Sequence, residues 1–185
     1  MPLPIEQWHL GFPSYLIADG EYADIEVGQT LDTFALEFWC KRRLKLAATR
    51  VKSAVPLPDY RYRVTAEIQY LSVAAAVIDF GLQAVRYANL LPRNVNVGDF
   101  VTGDIYVGIP LCVEGVPDEF LRSLPYKWRV DGISADTTSY LERRGLLPGS
   151  QTHRVRDESH IRFEEVISTK ALGAQTYVLH CAKLD

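Results

Sequence analysis

From Tyr60 to Tyr70 the chain alternates without a break. Tyr60, Tyr62, Val64, Ala66, Ile68 and Tyr70 are apolar or aromatic, and Arg61, Arg63, Thr65, Glu67 and Gln69 lie between them. A period of two places successive side chains on opposite faces, so this stretch predicts a strand with one face in a core and the other in water. An apolar run to Ile78 follows, interrupted by Ser72, and then the Asp79-Phe80-Gly81 break. A second alternating segment runs from Asp99 to Ile109, with Val101, Ile105, Val107 and Ile109 on one face and Gly103 between them. A glycine inside a strand predicts a bulge or bend, as a curling sheet needs.

Further strands are expected from Leu31 to Cys40, with Phe34, Leu36, Phe38 and Cys40 on one face, and at Tyr126–Val130 and Gln175–Cys181. Two strands are expected between Ser14 and Cys40, around Asp19-Gly20-Glu21. Asp131-Gly132 reads as a hairpin or bulge, and Asp157-Glu158-Ser159 as a hairpin turn joining His153–Arg156 to Ile161–Phe163. One short helix is expected over 117–124, with a proline near its first position, acids in its first turn and Pro125 at its end. The expected fold class is therefore all-β, mainly antiparallel, as a β-barrel or sandwich.

The turn and strand Val97-Gly98-Asp99-Phe100-Val101-Thr102-Gly103-Asp104-Ile105 resembles the OB-like class, in which a Val-Gly-Asp turn commonly precedes a strand. The resemblance spans about residues 60–113 and implies a small Greek-key barrel, a fold that does not by itself set a function. Residues 1–13, with Pro2, Pro4 and Pro13 beside Trp8 and Phe12, read as an extended N-terminal arm, and 14–185 as one β-rich domain.

The chain has 185 residues, 48% hydrophobic and 23% charged, as a globular protein requires, and a net charge of -3 lowers the expectation of nucleic acid as main partner. Three cysteines, Cys40, Cys112 and Cys181, form no framework or CxxC pair, which points to a reducing cytoplasm. No segment has the length of a membrane span, and no leader is evident at the N-terminus.

Charge is segregated. Residues 1–40 carry seven acids and no Lys or Arg, after which Lys41, Arg42, Arg43, Lys45, Arg50 and Lys52 follow with no acid before Asp59. The simplest expectation sets the basic run beside the acidic one across a sheet. The alternative is an exposed basic strip of Lys41, Arg42, Arg43, Arg61 and Arg63 that grips an acidic partner or a phosphate backbone. Tyr60 and Tyr62 share the apolar face of this register and are expected in the core.

No GxSxG, P-loop, GxGxxG, HExxH or zinc-type cysteine spacing occurs. Neighbours in a strand point to opposite faces, so His180-Cys181 predicts no nucleophile–base pair, and Cys181 reads as a core residue. A metal site from Cys40, Cys112, Cys181 and one of His9, His153, His160 or His180 has no support in spacing, and neither a metal nor a cofactor is expected. Asp79 and Asp99 read as turn residues, and Asp104 as polar-face. The leading expectation is a non-catalytic, cytoplasmic β-barrel that binds another protein, of accessory, adaptor or toxin-neutralising type. A single-stranded nucleic-acid binder is the alternative, and an enzyme with a site assembled from distant residues such as Asp104, a histidine and a cysteine is the third. Homo-oligomerisation is left open.

Overall fold

The computed structural model describes residues 6–34, 36–109, 115–117, 126–144, 152–170, 174 and 176–184. In chain order, β1 (Trp8–Pro13) leads into the one-turn α1 (Tyr15–Ala18), then β2 (Thr30–Phe34), β3 (Leu36–Trp39), the two-residue β4 (Lys45–Leu46) and β5 (Ser53–Pro56). A 3₁₀ turn at Pro58–Tyr60 precedes β6 (Tyr62–Leu71), β7 (Ala75–Asp79), β8 (Gln83–Tyr87) and β9 (Phe100–Gly108). The rest is β10 (Tyr126–Asp136), β11 (Tyr140–Arg144), β12 (Thr152–Arg156), β13 (Phe163–Val166) and β14 (Thr176–Leu184). The helix expected over 117–124 lies, beyond Pro117, outside the described residues, as does Cys112.

The alternating central stretch becomes the first strand of a closed barrel. Going round the ring, β6 pairs with β7, β7 with β8, β8 with β3, β3 with β9, and β9 returns to β6; β3 and β8 run parallel and the other pairs antiparallel. The inward residues are those the period of two selects: Tyr62, Val64, Ala66 and Ile68 from β6, Val101, Ile105 and Val107 from β9, and Leu36 and Phe38 from β3. All are essentially buried, and full burial of one such aliphatic side chain contributes about 1.5–3 kcal/mol. The alternation breaks where a register shift falls between Ile68 and Tyr70. Tyr70 consequently packs on the outer face with Ala75, Val77, Val85 and Val116.

Past Ile105, β9 parts from β6 and pairs instead with β1, in parallel, through Leu10↔Val107 and Gly11↔Gly108. From this fork a second sheet grows in the order β9-β1-β14-β10, with β13 and β2 both on the far side of β10. Its inward side chains, including Trp8, Leu10, Phe12, Trp128, Val130, Leu179 and Cys181, join the barrel interior in one continuous core. At the fork the His9 backbone N–H finds its acceptor in the Tyr62 hydroxyl, 2.7 Å away, so a buried donor is not left bare.

Several expectations are corrected. Residues 8–13 form a strand inside the sheet, with β14 on one side and β9 on the other, because Trp8, Leu10 and Phe12 alternate and are buried; they are not an arm laid over the barrel. The segment after Ser14 forms α1 and turns rather than a strand. Residues 157–159 do not close a hairpin: β12 pairs with β11 and β13 with β10. Of the two readings of Asp131-Gly132, hairpin or bulge, the bulge holds, since the β10–β14 register shifts between Val130 and Gly132. Gly103 keeps regular register in β9; its lack of a side chain admits Leu44, whose Cδ2 lies 2.7 Å from where a Cβ would stand.

Candidate functional site

The basic run does not lie along the acidic one. Among the described residues, the ion pairs from acids before Cys40 are Glu37–Arg86 and Glu26–Lys170. Asp19, Glu21 and Asp24 lie in no strand and Glu26 bridges to Ser168, whereas β4 pairs with β9 of the barrel. Lys52 instead meets Glu67 and Asp79, and Lys41 meets Glu158.

All five residues of the expected strip line one groove of about 490 Å³, Lys41, Arg42, Arg43, Arg61 and Arg63, together with Lys45, Thr102, Gly103 and Asp104. Strand β6 supplies Arg63 on its outward face, opposite Asp104 on β9. Arg63 donates to both carboxylate oxygens of Asp104, at 2.9 and 3.2 Å, a fork geometry that holds the Asp104 carboxyl below its usual range, with the same sense added by Arg61. Arg61 donates from Nε to Asp59 at 2.8 Å. Arg42, Arg43 and Lys45 are exposed and make no ion pair among the described residues. Six cations thus face one groove carboxylate, and half of them are electrostatically unspent.

A second groove of about 490 Å³ adjoins the first and was missed from the sequence. It opens at the fork between β6 and β1. Its floor is the outer face of β3, β9 and β1, where Trp39, Tyr106 and Gly11 meet. Gly108 makes that floor flat: a Cβ there would stand 2.5 Å from both the Gly11 carbonyl oxygen and the Trp39 ring. Trp39 is held from above by the Arg86 guanidinium, 5.5 Å from its ring centre, and Arg86 in turn pairs with the buried Glu37. Tyr15 of α1, Tyr60, Phe163 of β13, and Tyr140 and Arg156 from the β11–β12 ribbon form the walls.

The wall nearest the basic groove is under backbone strain. Asp59 and Tyr60 have φ of 65° and 63°, consecutive left-handed residues other than glycine, which cost on the order of 1–3 kcal/mol each. They are held there by the Asp59–Arg61 ion pair and by the Tyr60 ring, which packs edge-on to Phe163 at 4.8 Å and against His9 at 5.0 Å. This corrects the expectation for Tyr60: it leaves the apolar face of β6 because the strand starts two residues later, and its ring goes into the groove while that of Tyr62 enters the core.

Beneath Tyr60, His9 and His180 face each other with Nδ1 atoms 3.1 Å apart, and the His180 Nε2 bonds Ser134 at 2.7 Å. Burial and the neighbouring His180 pull His9 down to about 4, and burial lowers His180 as well. Cys181 points the other way into the core, where burial raises its thiol to about 12. Asp79 caps its turn at Gly81 and Asp99 caps its own at Asn96, while Asp104 pairs with Arg63. Those three carboxylates therefore serve three separate places, and Asp104, the histidines and Cys181 do not converge. Among the described residues no group of three His, Cys, Asp or Glu could hold a metal ion, and no helix is long and apolar enough to cross a membrane.

Compared with known protein families, curated proteins and solved structures, the chain matches none.

Proposed function

We propose that this is a non-catalytic binding protein that holds an acidic segment of another protein in the basic groove. The observation that carries the reading is the gathering of Arg42, Arg43 and Lys45, exposed and free of ion pairs among the described residues, beside Arg61 and Arg63. Complementary charge of this kind speeds encounter and selects partners. A cytoplasmic partner, adaptor or toxin-neutralising role belongs to the same reading, as does the absence of a catalytic constellation among the described residues.

A second reading is an OB-like binder of single-stranded nucleic acid. The closed five-strand ring β6-β7-β8-β3-β9, with β8 and β3 parallel, supports this reading. Aromatic side chains next to a cationic groove also suit bases and phosphates. Against it, the outer face of β7 and β8, where OB barrels take oligonucleotides, is closed: Val77 and Val85 are buried under Val116.

Fluorescence anisotropy with labelled oligoglutamate and labelled oligothymidylate at low salt tests the two readings side by side. The protein reading expects oligoglutamate to bind and the double variant Arg42→Glu/Arg43→Glu to lose it. Preferential binding of oligothymidylate would transfer the groove to the second reading. Retention of neither probe would overturn both.

A further inference from the structure

We propose that the aromatic groove at the fork is a separate binding site, and that its ligand is a neutral carbohydrate. The volume, about 490 Å³, falls within the roughly 300–1,000 Å³ typical of small-ligand sites.

Charge excludes most other classes. Asp59 is paired with Arg61, and Asp136 with Arg156 at 2.6 Å. His9 and His180 are hydrogen-bonded to each other. The groove therefore offers no unopposed charge to an ionic ligand. An anion has a stronger site next door, among Arg42, Arg43 and Lys45. A quaternary ammonium would need an open aromatic face beside an unpaired carboxylate, but Arg156 already lies over the Phe163 ring at 5.9 Å.

Shape then separates the neutral candidates. A planar base binds best in a slot between parallel rings. Here the Tyr60 and Phe163 rings stand at 86° and the His9 and Tyr60 rings at 56°, so these side chains form a faceted wall rather than a slot. Against such a wall a puckered ring can lay its C–H faces on Tyr106 or Tyr60, beside Trp39, while its hydroxyl edges reach polar groups. Those groups are present: the Asp136 carboxylate accepts, the Arg156 guanidinium donates, and the tyrosine hydroxyls can do either. A pyranose has this combination of apolar face and polar edge. The wall is also built in advance, by the strained Asp59–Tyr60 turn and by the seat that Gly108 leaves for Trp39.

Trp39 is a convenient reporter, because the other tryptophans, Trp8 and Trp128, are buried in the core. Titrating the protein with neutral gluco-, xylo-, manno- and N-acetylglucosamine oligosaccharides, followed by tryptophan fluorescence and calorimetry, tests the proposal. One series is expected to bind, to change the fluorescence, and to keep its affinity as salt is raised. Trp39→Ala, which removes a ring of the groove floor, is expected to weaken binding by about tenfold or more. Tyr15→Ala, at a rim ring that is 41% exposed, is expected to weaken binding without disturbing the fold. It keeps the proposal testable if the Trp39 variant does not fold. Silence across the whole sugar panel overturns the proposal. So does tighter binding of choline or adenosine in this groove, or sugar binding that neither variant weakens.

Discussion

The Arg61 guanidinium donates from Nε to Oδ1 of Asp59 at 2.8 Å, and this ion pair is the boundary between the two grooves: Arg61 lines the basic one and Asp59 the aromatic one. Asp59 thus has two roles, neutralising one cation of the basic groove and holding a left-handed turn at the edge of the other. Asp59→Gly separates them, because glycine keeps the positive φ at little cost while freeing Arg61. The variant is expected to bind oligoglutamate more tightly, by up to about fivefold, given about 0.2–1 kcal/mol for a partly exposed ion pair. Anisotropy titrations on the two proteins check this, and unchanged or weaker binding would contradict it.

Arg42 and Arg43 are exposed and hold nothing in place, so reversing their charge is expected to leave stability within about 0.5 kcal/mol of the original. Binding of an acidic probe is expected to fall by about tenfold or more and to lose most of its salt dependence. Thermal melts and anisotropy at two salt concentrations provide the comparison. A large loss of stability would show that the arginines are structural.

Gly108→Ala sets a methyl group against the Gly11 carbonyl and the Trp39 ring, both 2.5 Å away. Gly108 ends β9 between β3 and β1, so the ring must lift and the backbone beside the Gly11 carbonyl must shift with it. A loss of about 1–3 kcal/mol is expected, in line with other overpacking changes, together with a shift in Trp39 emission. Denaturant melts read the first and fluorescence the second.

Stability is expected to fall in mild acid. His9 has an unfolded value near 6.5 and a folded value of about 4, so between these the unfolded chain binds more protons. His180 is shifted in the same direction. The melting temperature should therefore be level above pH 6.5 and decline as pH drops toward about 4. Asp104, Asp157 and Glu158, whose folded values are also lowered, add their loss at still lower pH, as protonation removes their hydrogen bonds from Arg63, Ser159 and Lys41. His9→Asn is expected to flatten the upper part of this profile alone. A profile unchanged by that substitution would remove the histidine pair as its origin.

The Cys181 thiol, buried and raised to about 12, carries almost no thiolate at neutral pH. Alkylation of the native protein followed by peptide mapping is expected to leave Cys181 unmodified, with modification appearing when denaturant is added. Rapid native labelling there would mean that β14 opens readily.

Much of the barrel was written in local pattern. The alternation from Tyr62 to Ile68 marks a barrel strand because every second side chain must enter the core, and the Val101, Ile105 and Val107 face follows the same rule. The basic strip was less legible: Lys41, Arg42 and Arg43 are neighbours in the chain and Arg61 and Arg63 alternate with tyrosines, but the simplest expectation set the basic run beside the acidic one. What hid from that reading was local override: the Ile68/Tyr70 shift that turns Tyr70 outward, and the left-handed turn that takes Tyr60 off its strand.

By itself the sequence determined the strictly alternating strands, β6 and β9 above all, and which of their faces is apolar, because both depend on side chains one or two positions apart. Only the tertiary structure decided that β9 exchanges β6 for β1 partway along, and with that it created the fork. The aromatic groove exists because of this exchange, drawing Tyr15, Trp39, Tyr60, Tyr106, Tyr140 and Phe163 from six separate segments. An aromatic residue on an outer strand face has the same period as one in the core. Which of the two it becomes depends on the strands that pair beside it, and pairing between distant segments leaves no mark on the spacing within either one.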